Sequence, residues 1–271
     1  MKKEFKYVFV VLVYKNIDVL NDFFNSFCIS DAKVIVVNSF FDSSSLEKCK
    51  KIALQNNANF IPIENKGYGY GNNIGIAYAI KHYYFKYLVV SNSDVIIKDL
   101  SCLESFNEPN AIIAPETRMI SNKRQNPSTP WKLPFLFEIT HYALKKNNKF
   151  LYTLTHIYTR LSRELFFIYA RLFKKTKYKI FSPHGSFIIA TQEAVHTLHP
   201  LFDDNMFLYN EEWYLAMKAR INEVTIYYCP DIKILHLEGA SSDTSSNAFF
   251  KYSKQSYDVF YKWIKTNFNY Y

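Results

Sequence analysis

Asn65-Lys66-Gly67-Tyr68-Gly69-Tyr70-Gly71-Asn72-Asn73-Ile74-Gly75 sets four glycines and three asparagines between a short apolar run and a helical pattern. Glycine tolerates positive φ and lets backbone approach a ligand closely. A glycine-rich turn that opens a helix aims free N–H groups at whatever lies above it. The spacing excludes two familiar phosphate loops. After Gly67 and Gly69 the third position is Asn72, and after Gly69 and Gly71 it is Ile74, so no G-x-G-x-x-G dinucleotide fingerprint exists. No Gly-Lys-Ser/Thr follows either, which removes the Walker A loop.

Outward from this run the chain alternates between strand and helix signals. Tyr7–Tyr14 is apolar and rich in β-branched residues, and Asp18–Phe27 carries apolar side chains at helical spacing. Val34–Val37 reads as a strand, Ser45–Gln55 as a helix capped from Ser43 to Ser45, and Phe60–Ile63 as a strand. Asn73–Tyr84 then reads as a helix and Tyr87–Ser91 as a strand. Continuous apolar strands alternating with helices predict an α/β fold with a mostly parallel sheet covered on both faces. Such sheets bind ligands beyond the carboxyl ends of their strands, where the glycine run and Ser91-Asn92-Ser93-Asp94 both fall.

Residues 120–135 have loop composition. Phe150–Lys174 follows with a helical apolar stripe of Leu151, Leu154, Tyr158, Leu161, Leu165, Tyr169 and Leu172, while Arg160, Arg163, Arg171 and Lys174 lie on the roughly opposite side. Phe181–Ser242 returns to α/β character. Ser186–Ala190, Val224–Tyr228 and Ile232–Leu237 read as strands, and Gln192–Leu198 and Glu211–Arg220 as helices. Phe249–Phe268 reads as a C-terminal helix.

A chain of 271 residues with 49% hydrophobic and 21% charged residues suits a folded domain and opposes disorder. The formal charge of +9 implies an anionic partner. Cys28, Cys49, Cys102 and Cys229 form no C-x-x-C, which disfavours a zinc ribbon and fits a reducing compartment. Val8–Val13 is too short to span a membrane and lacks a following cleavage site, so the expectation is a cytoplasmic protein with a buried first strand.

Three groupings bear chemistry. Asp94 closes a strand, where a carboxylate can ligate a hard divalent cation beside a diphosphate; a turn or cap Asp reads the same way. His236 follows a strand and precedes Glu238-Gly239; it suits a packed imidazole or one that completes such a site. Phe202-Asp203-Asp204-Asn205-Met206-Phe207-Leu208-Tyr209-Asn210-Glu211-Glu212-Trp213 sets carboxylates among aromatics at a helix start. Acidic residues favour a first turn through the helix dipole. In a partly apolar pocket they also have the raised pKa of a general base.

Taken in order, these segments resemble the family 2 glycosyltransferases with a GT-A fold, particularly the rhamnosyltransferase-like branch that builds bacterial surface polysaccharides. The family's N-x-G-[FY]-[GA]-x-[GA]-N-N-x-G run is matched by Asn65 through Gly75, and its N-x-D turn by Asn92-Ser93-Asp94. Its G-[AS]-x-[FLM]-[LI] strand is matched loosely by Gly185 through Ile189, and its F-D-E-x-[FM]-F-x-Y-x-E-D signature by Phe202 through Glu212. Its late histidine before a small segment is matched by His236 with Gly239, Ser241 and Ser242. The likeness covers about residues 7–100 and 180–245.

The resemblance implies a single domain, 1–271, with a mixed, mostly parallel sheet flanked by helices. Residues 1–119 would bind the nucleotide sugar, 120–180 would be an inserted basic helical segment, and 181–271 would hold the acceptor and catalytic half with the C-terminal helix. It implies Asp94 and His236 as contacts of Mg²⁺ or Mn²⁺ at the donor diphosphate, with Asn92 and Ser93 beside them. Glu212 takes the position of the family's catalytic Asp, with Glu211 as its acidic neighbour. Tyr14, Asn38, Asp42, Asn65, Gly67, Gly71, Asn72 and Asn73 would shape the donor side. The reaction implied is inverting displacement, from a dTDP- or UDP-linked sugar to a hydroxyl of a polyprenyl-linked glycan. Three departures stand out. Asn38 replaces the usual Asp after the second strand, in a loop one residue shorter; Glu replaces Asp at the base; and Tyr214-Leu215 replaces the usual Asp-Leu.

The basic stretch Phe150–Lys179 suits a helix lying on anionic lipid at the inner face of the cell membrane, or one whose stripe packs on the core with a solvated basic face. A nucleic-acid-binding module would use the same charge, but no signature supports it and the carboxylates oppose it. An inactive paralogue is the other alternative. A nucleotidyltransferase would want a glycine-rich basic loop after the first strand, which Val13-Tyr14-Lys15-Asn16 does not supply.

Overall fold

The computed structural model describes residues 2–15, 17–40, 42–237 and 246–268. The expected small segment with Gly239, Ser241 and Ser242 lies outside them.

The core is built on Val- and Ile-rich strands. Strands β1 (Lys3–Val13), β2 (Ala32–Phe40), β3 (Asn59–Glu64) and β4 (Tyr83–Asn92) form a parallel block in the order β3-β2-β1-β4. Helices α1 (Asp18–Asn25), α2 (Ser43–Gln55) and α3 (Tyr68–His82) make the crossovers. The sheet continues through β8 (Phe187–Thr191), β6 (Ala111–Met119), β9 (Thr225–His236) and β5 (Val95–Asp99), with β7 (Tyr178–Lys179) also on β9. Strands β6 and β9 are parallel, whereas β8 runs against both β4 and β6. Helices α6 (Gln192–Leu198), α7 (Glu211–Ile221) and α8 (Ser246–Asn267) complete the second half. Two buried clusters, one on each sheet face, confirm the expected mixed α/β sheet flanked by helices.

Several boundaries move for physical reasons. Asp42, not a serine, caps α2, its carboxylate accepting the Ser45 N–H at 2.7 Å. The two strands read at Val224–Tyr228 and Ile232–Leu237 are one strand, β9. Its Pro230 lies in a bulge beside Pro115 of β6, where the register slips.

The largest correction concerns the glycine run, which is not a loop before a helix. Gly67 is the N-cap at φ 114°, and the rest of the run forms the opening turns of α3. The glycines are there for close packing. A Cβ on Gly71 would stand 2.6 Å from Leu12 Cδ1, and one on Gly67 2.5 Å from the Phe207 carbonyl. On Gly75 it would stand 2.4 Å from Val10 Cγ1 and 2.8 Å from Val37 Cγ2. Both valines are fully buried and β-branched, so neither can swing aside. Gly75→Ala is therefore expected to cost about 2 kcal/mol through overpacking, read as a lower urea midpoint. An unchanged midpoint would contradict this packing role.

Between β6 and β7 lie α4 (Pro134–Lys145) and the 25-residue α5 (Lys149–Phe173), packed side by side. Apart from Leu151, which packs against the core, the apolar stripe read from the sequence turns outward. Tyr152, Thr155, Ser162 and Phe166 face inward, whereas Leu161, Leu165 and Leu172 are 57%, 60% and 73% exposed.

Candidate active site

The carboxyl ends of β4 and β9 bring Asp94 and His236 together across 142 residues of sequence. Both are buried, with Asp94 Oδ1 3.1 Å from His236 Nε2. The Leu237 N–H donates to the Asp94 carbonyl at 2.8 Å, which locks the two strand ends. His236 Nδ1 lies 2.8 Å from Gln125 Oε1. An amide oxygen only accepts, so in that amide orientation Nδ1 carries the proton and the Nε2 lone pair points at the carboxylate. A proton or a cation between them relieves that contact, as does the flipped Gln125 amide, which lets Nε2–H donate to Asp94.

The donor set fits a cation. Two ligand atoms about 2.1 Å from one metal and at a right angle stand about 3.0 Å apart, close to the observed separation. Among the described residues no group of three or more His, Cys, Asp or Glu could hold a metal. The remaining ligands would therefore come from water and substrate phosphate, as is usual for Mg²⁺ beside a diphosphate.

Glu212 sits in the first turn of α7, which tolerates an acidic pair electrostatically. Its Oε1 accepts the Gly185 N–H at 3.1 Å, and its backbone carbonyl accepts the Ser182 hydroxyl at 3.1 Å. Glu211 is nearly fully buried and its Oε1 has no hydrogen-bond partner among the described residues. Burial and the Glu212 charge push the Glu211 carboxyl well above the usual range, and burial raises that of Glu212. The proton of the pair thus belongs on Glu211, which leaves the more accessible Glu212 as the base.

Segment 182–186 is a strap joining the carboxylate to the Asp94 side. The Tyr68 hydroxyl donates to the Gly185 carbonyl at 2.6 Å, and the Asn92 N–H donates to the Ser186 carbonyl at 2.9 Å. The His184 N–H donates to Asn126 Oδ1 at 2.6 Å. Gly185 itself is constrained, since a Cβ there would lie 3.1 Å from Glu212 Oε1. Sequence reasoning missed His184, Tyr68 and Gln125. The His184 ring is 6.1 Å from that of His236, and the Ser186 N–H donates to its Nδ1 at 3.2 Å. Burial, then the proximity of His236 and Arg163, push His184 down to about 3, so it stays neutral with Nε2 as a donor. Its place immediately before Gly185 was the only available signal.

The expected donor-side residues divide. Asn38 ends the β1–β2 ladder opposite Val13. Its Nδ2 donates to the Val13 carbonyl at 3.4 Å, and its buried Oδ1 has no partner among the described residues. Tyr14 follows at the end of β1, and Asn92 and Ser93 flank Asp94 at the end of β4. The six others make scaffold contacts. Asp42 caps α2, and Gly71 meets Leu12 and Ile63. Asn72 Nδ2 donates back to the Tyr68 carbonyl at 3.0 Å, although its buried Oδ1 is left unpaired among the described residues. Asn73 donates to the Phe202 carbonyl and Asp204 at 2.8 and 2.7 Å, and its Oδ1 accepts the Phe202 N–H at 3.2 Å. Asn65 folds onto the Gly67 N–H at 3.2 Å, and Gly67 abuts Phe207. The glycine–asparagine run thus holds the acidic segment 202–212 in place.

No family model and no curated protein sequence matches the chain. Among solved structures, GalNAc-T7 with UDP, GalNAc and Mn²⁺ aligns over 96% of this chain at a TM-score of 0.61 and 10% identity. The mannosyltransferase PcManGT of Pyrobaculum calidifontis, in complex with GDP-Man and Mn²⁺, aligns over 91% at a TM-score of 0.52 and 11% identity. The chain spans 48% and 60% of those two chains. The likeness shows architecture: this chain has the GT-A fold.

Proposed function

We infer that the chain is a metal-assisted inverting glycosyltransferase that moves a sugar from a nucleoside diphosphate to a glycan hydroxyl. The observation that carries this reading is the strap 182–186. Through the Gly185 N–H and the Ser186 carbonyl it ties the Glu212 carboxylate to the end of β4, beside Asp94 and His236. A base and a diphosphate seat at fixed separation are what direct displacement at an anomeric carbon requires. Glu212 takes the acceptor hydroxyl proton as that oxygen attacks, and a single displacement inverts the anomeric centre. A divalent cation held by Asp94 and His236 would supply Lewis-acid stabilisation of the departing diphosphate. His184 Nε2–H offers a neutral donor beside that seat. In this reading the donor is a UDP- or dTDP-linked sugar.

The same reading places the chain in the rhamnosyltransferase-like branch. Its acceptor is a polyprenyl-linked surface glycan at the inner face of the cell membrane. All of 1–271 is one domain with donor, inserted and acceptor segments at 1–119, 120–180 and 181–271. A thermal-shift screen of nucleoside diphosphates and nucleotide sugars, each with Mn²⁺, tests it. Ligand at a hundredfold excess over Kd stabilises by about 2.7 kcal/mol. For a chain of this size that is a rise of about 5–10 °C in Tm. No rise with any uridine or thymidine diphosphate would remove the donor assignment.

A further inference from the structure

The outward surface of α4 and α5 is unlike the rest of the molecule. Among the described residues, fourteen of the eighteen exposed large apolar side chains lie between Trp131 and Phe173. Phe135, Ile139 and Tyr142 project from α4 beside Leu154, Leu161 and Leu165 of α5, and the Phe135 and Tyr158 rings join the two rows at 5.9 Å. A contiguous apolar face of this kind marks an interaction site rather than random surface.

Charge is concentrated on the same segment. Residues 120–180 contain thirteen of the 33 Lys and Arg and only two of the 24 Asp and Glu, giving +11, while the rest of the chain sums to −2. The basic residues gather at the ends of the helix pair. Lys145, Lys146 and Lys149 stand where α4 turns into α5, and Arg171, Lys174 and Lys175 at the far end of α5. At that far end Arg171, Lys174 and Lys175 have no carboxylate partner among the described residues. They line a cavity of about 390 Å³ whose wall also carries Asp231 and Glu116, the latter paired with Arg118 and Arg124.

We propose that the α4–α5 face docks on an anionic lipid bilayer, with its apolar side chains at the acyl boundary and the basic residues at the helix ends drawn to the acidic headgroups. Charge chooses this occupant. A second copy would set +11 against +11 across an apolar contact, whereas acidic headgroups neutralise the rim as the apolar side chains leave water. No helix among the described residues is long and apolar enough to cross a membrane, so the face lies in the interface plane. Nothing in this proposal depends on the glycosyl-transfer reading.

Flotation of the full chain on phosphatidylcholine vesicles, with and without about one-third phosphatidylglycerol at about 0.1 M salt, tests it. Flotation is expected only with the acidic lipid. Leu161→Glu with Leu165→Glu should lower vesicle binding about tenfold or more, and Arg171→Glu with Lys174→Glu should lower it several-fold. Both pairs are surface changes, and unaltered circular dichroism would show that the fold persists. Absence of flotation, equal flotation on neutral lipid, or a wild-type dimer that the leucine variant splits would each overturn the proposal.

Discussion

Glu212→Gln is expected to lower sugar transfer by about a thousandfold, the middle of the range for losing a positioned general base. Gln keeps the shape and still accepts the Gly185 N–H at the strap, so positioning survives while proton acceptance is lost. The same substitution should leave Tm equal to or above that of wild type. Burial raises the Glu212 carboxyl in the folded chain, so the native state holds its proton more tightly than the unfolded state. Stability falls as pH rises from the ordinary glutamate value through the raised native one, and Gln removes that penalty at neutral pH. The acid limb of the wild-type pH–rate profile should therefore lie above the ordinary glutamate range. Glu211→Gln discriminates between the two carboxylates. If Glu211 holds the shared proton, its amide is a near-isostere and turnover should change by only about threefold, far below the loss expected at the base. Equal losses from the two amides would refute the division of roles, and wild-type turnover by Glu212→Gln would refute the base.

The sequence made the parallel half legible because buried parallel strands read as continuous β-branched runs, as Val8–Val13 and Val34–Val37 do. The second half hid more. Pro115 argues against a central strand and Pro230 against a continuous one, yet the two share one bulge. Helix α3 was set five residues late because glycine has poor helix propensity. What propensity cannot register is that Val10 and Val37 leave no room for a Cβ at Gly75. Periodicity located the apolar stripe of α5 but carries no sign: it says that a face exists, not that the face points outward. The buried face includes Thr155 and Ser162, whose hydroxyls bond back to the Tyr152 and Thr159 carbonyls and so cost little to bury. In the site, motif order gave Asp94, Glu212 and His236. Gln125 and Tyr68 meet their partners across 111 and 117 residues of sequence, with no local pattern to mark either contact.

Asp94→Asn separates the cation's role from the fold more cleanly than removal of the side chain. With Gln125 Oε1 accepting from Nδ1–H, His236 Nε2 is an acceptor that faces Asp94 Oδ1 at 3.1 Å. An Asn side chain can turn its NH₂ toward Nε2 and make a hydrogen bond where the carboxylate meets a lone pair. The variant should therefore be at least as stable as wild type in the presence of chelator. What it loses is an anionic oxygen ligand, and hard divalent cations favour carboxylate oxygen strongly over an amide. The rise in Tm produced by nucleoside diphosphate with Mn²⁺ should then vanish in Asp94→Asn, as it should in the wild-type chain treated with chelator. Transfer should fall by about a thousandfold or more, because electrostatic stabilisation of the leaving group supplies several kcal/mol of the barrier reduction. The two readouts answer different questions. Loss of transfer with Mn²⁺-dependent nucleotide binding intact would move the metal away from Asp94 and leave the carboxylate another task in the cleft. Loss of both, with the chelated protein as stable as wild type, is the pattern that the facing acceptors at the ends of β4 and β9 require.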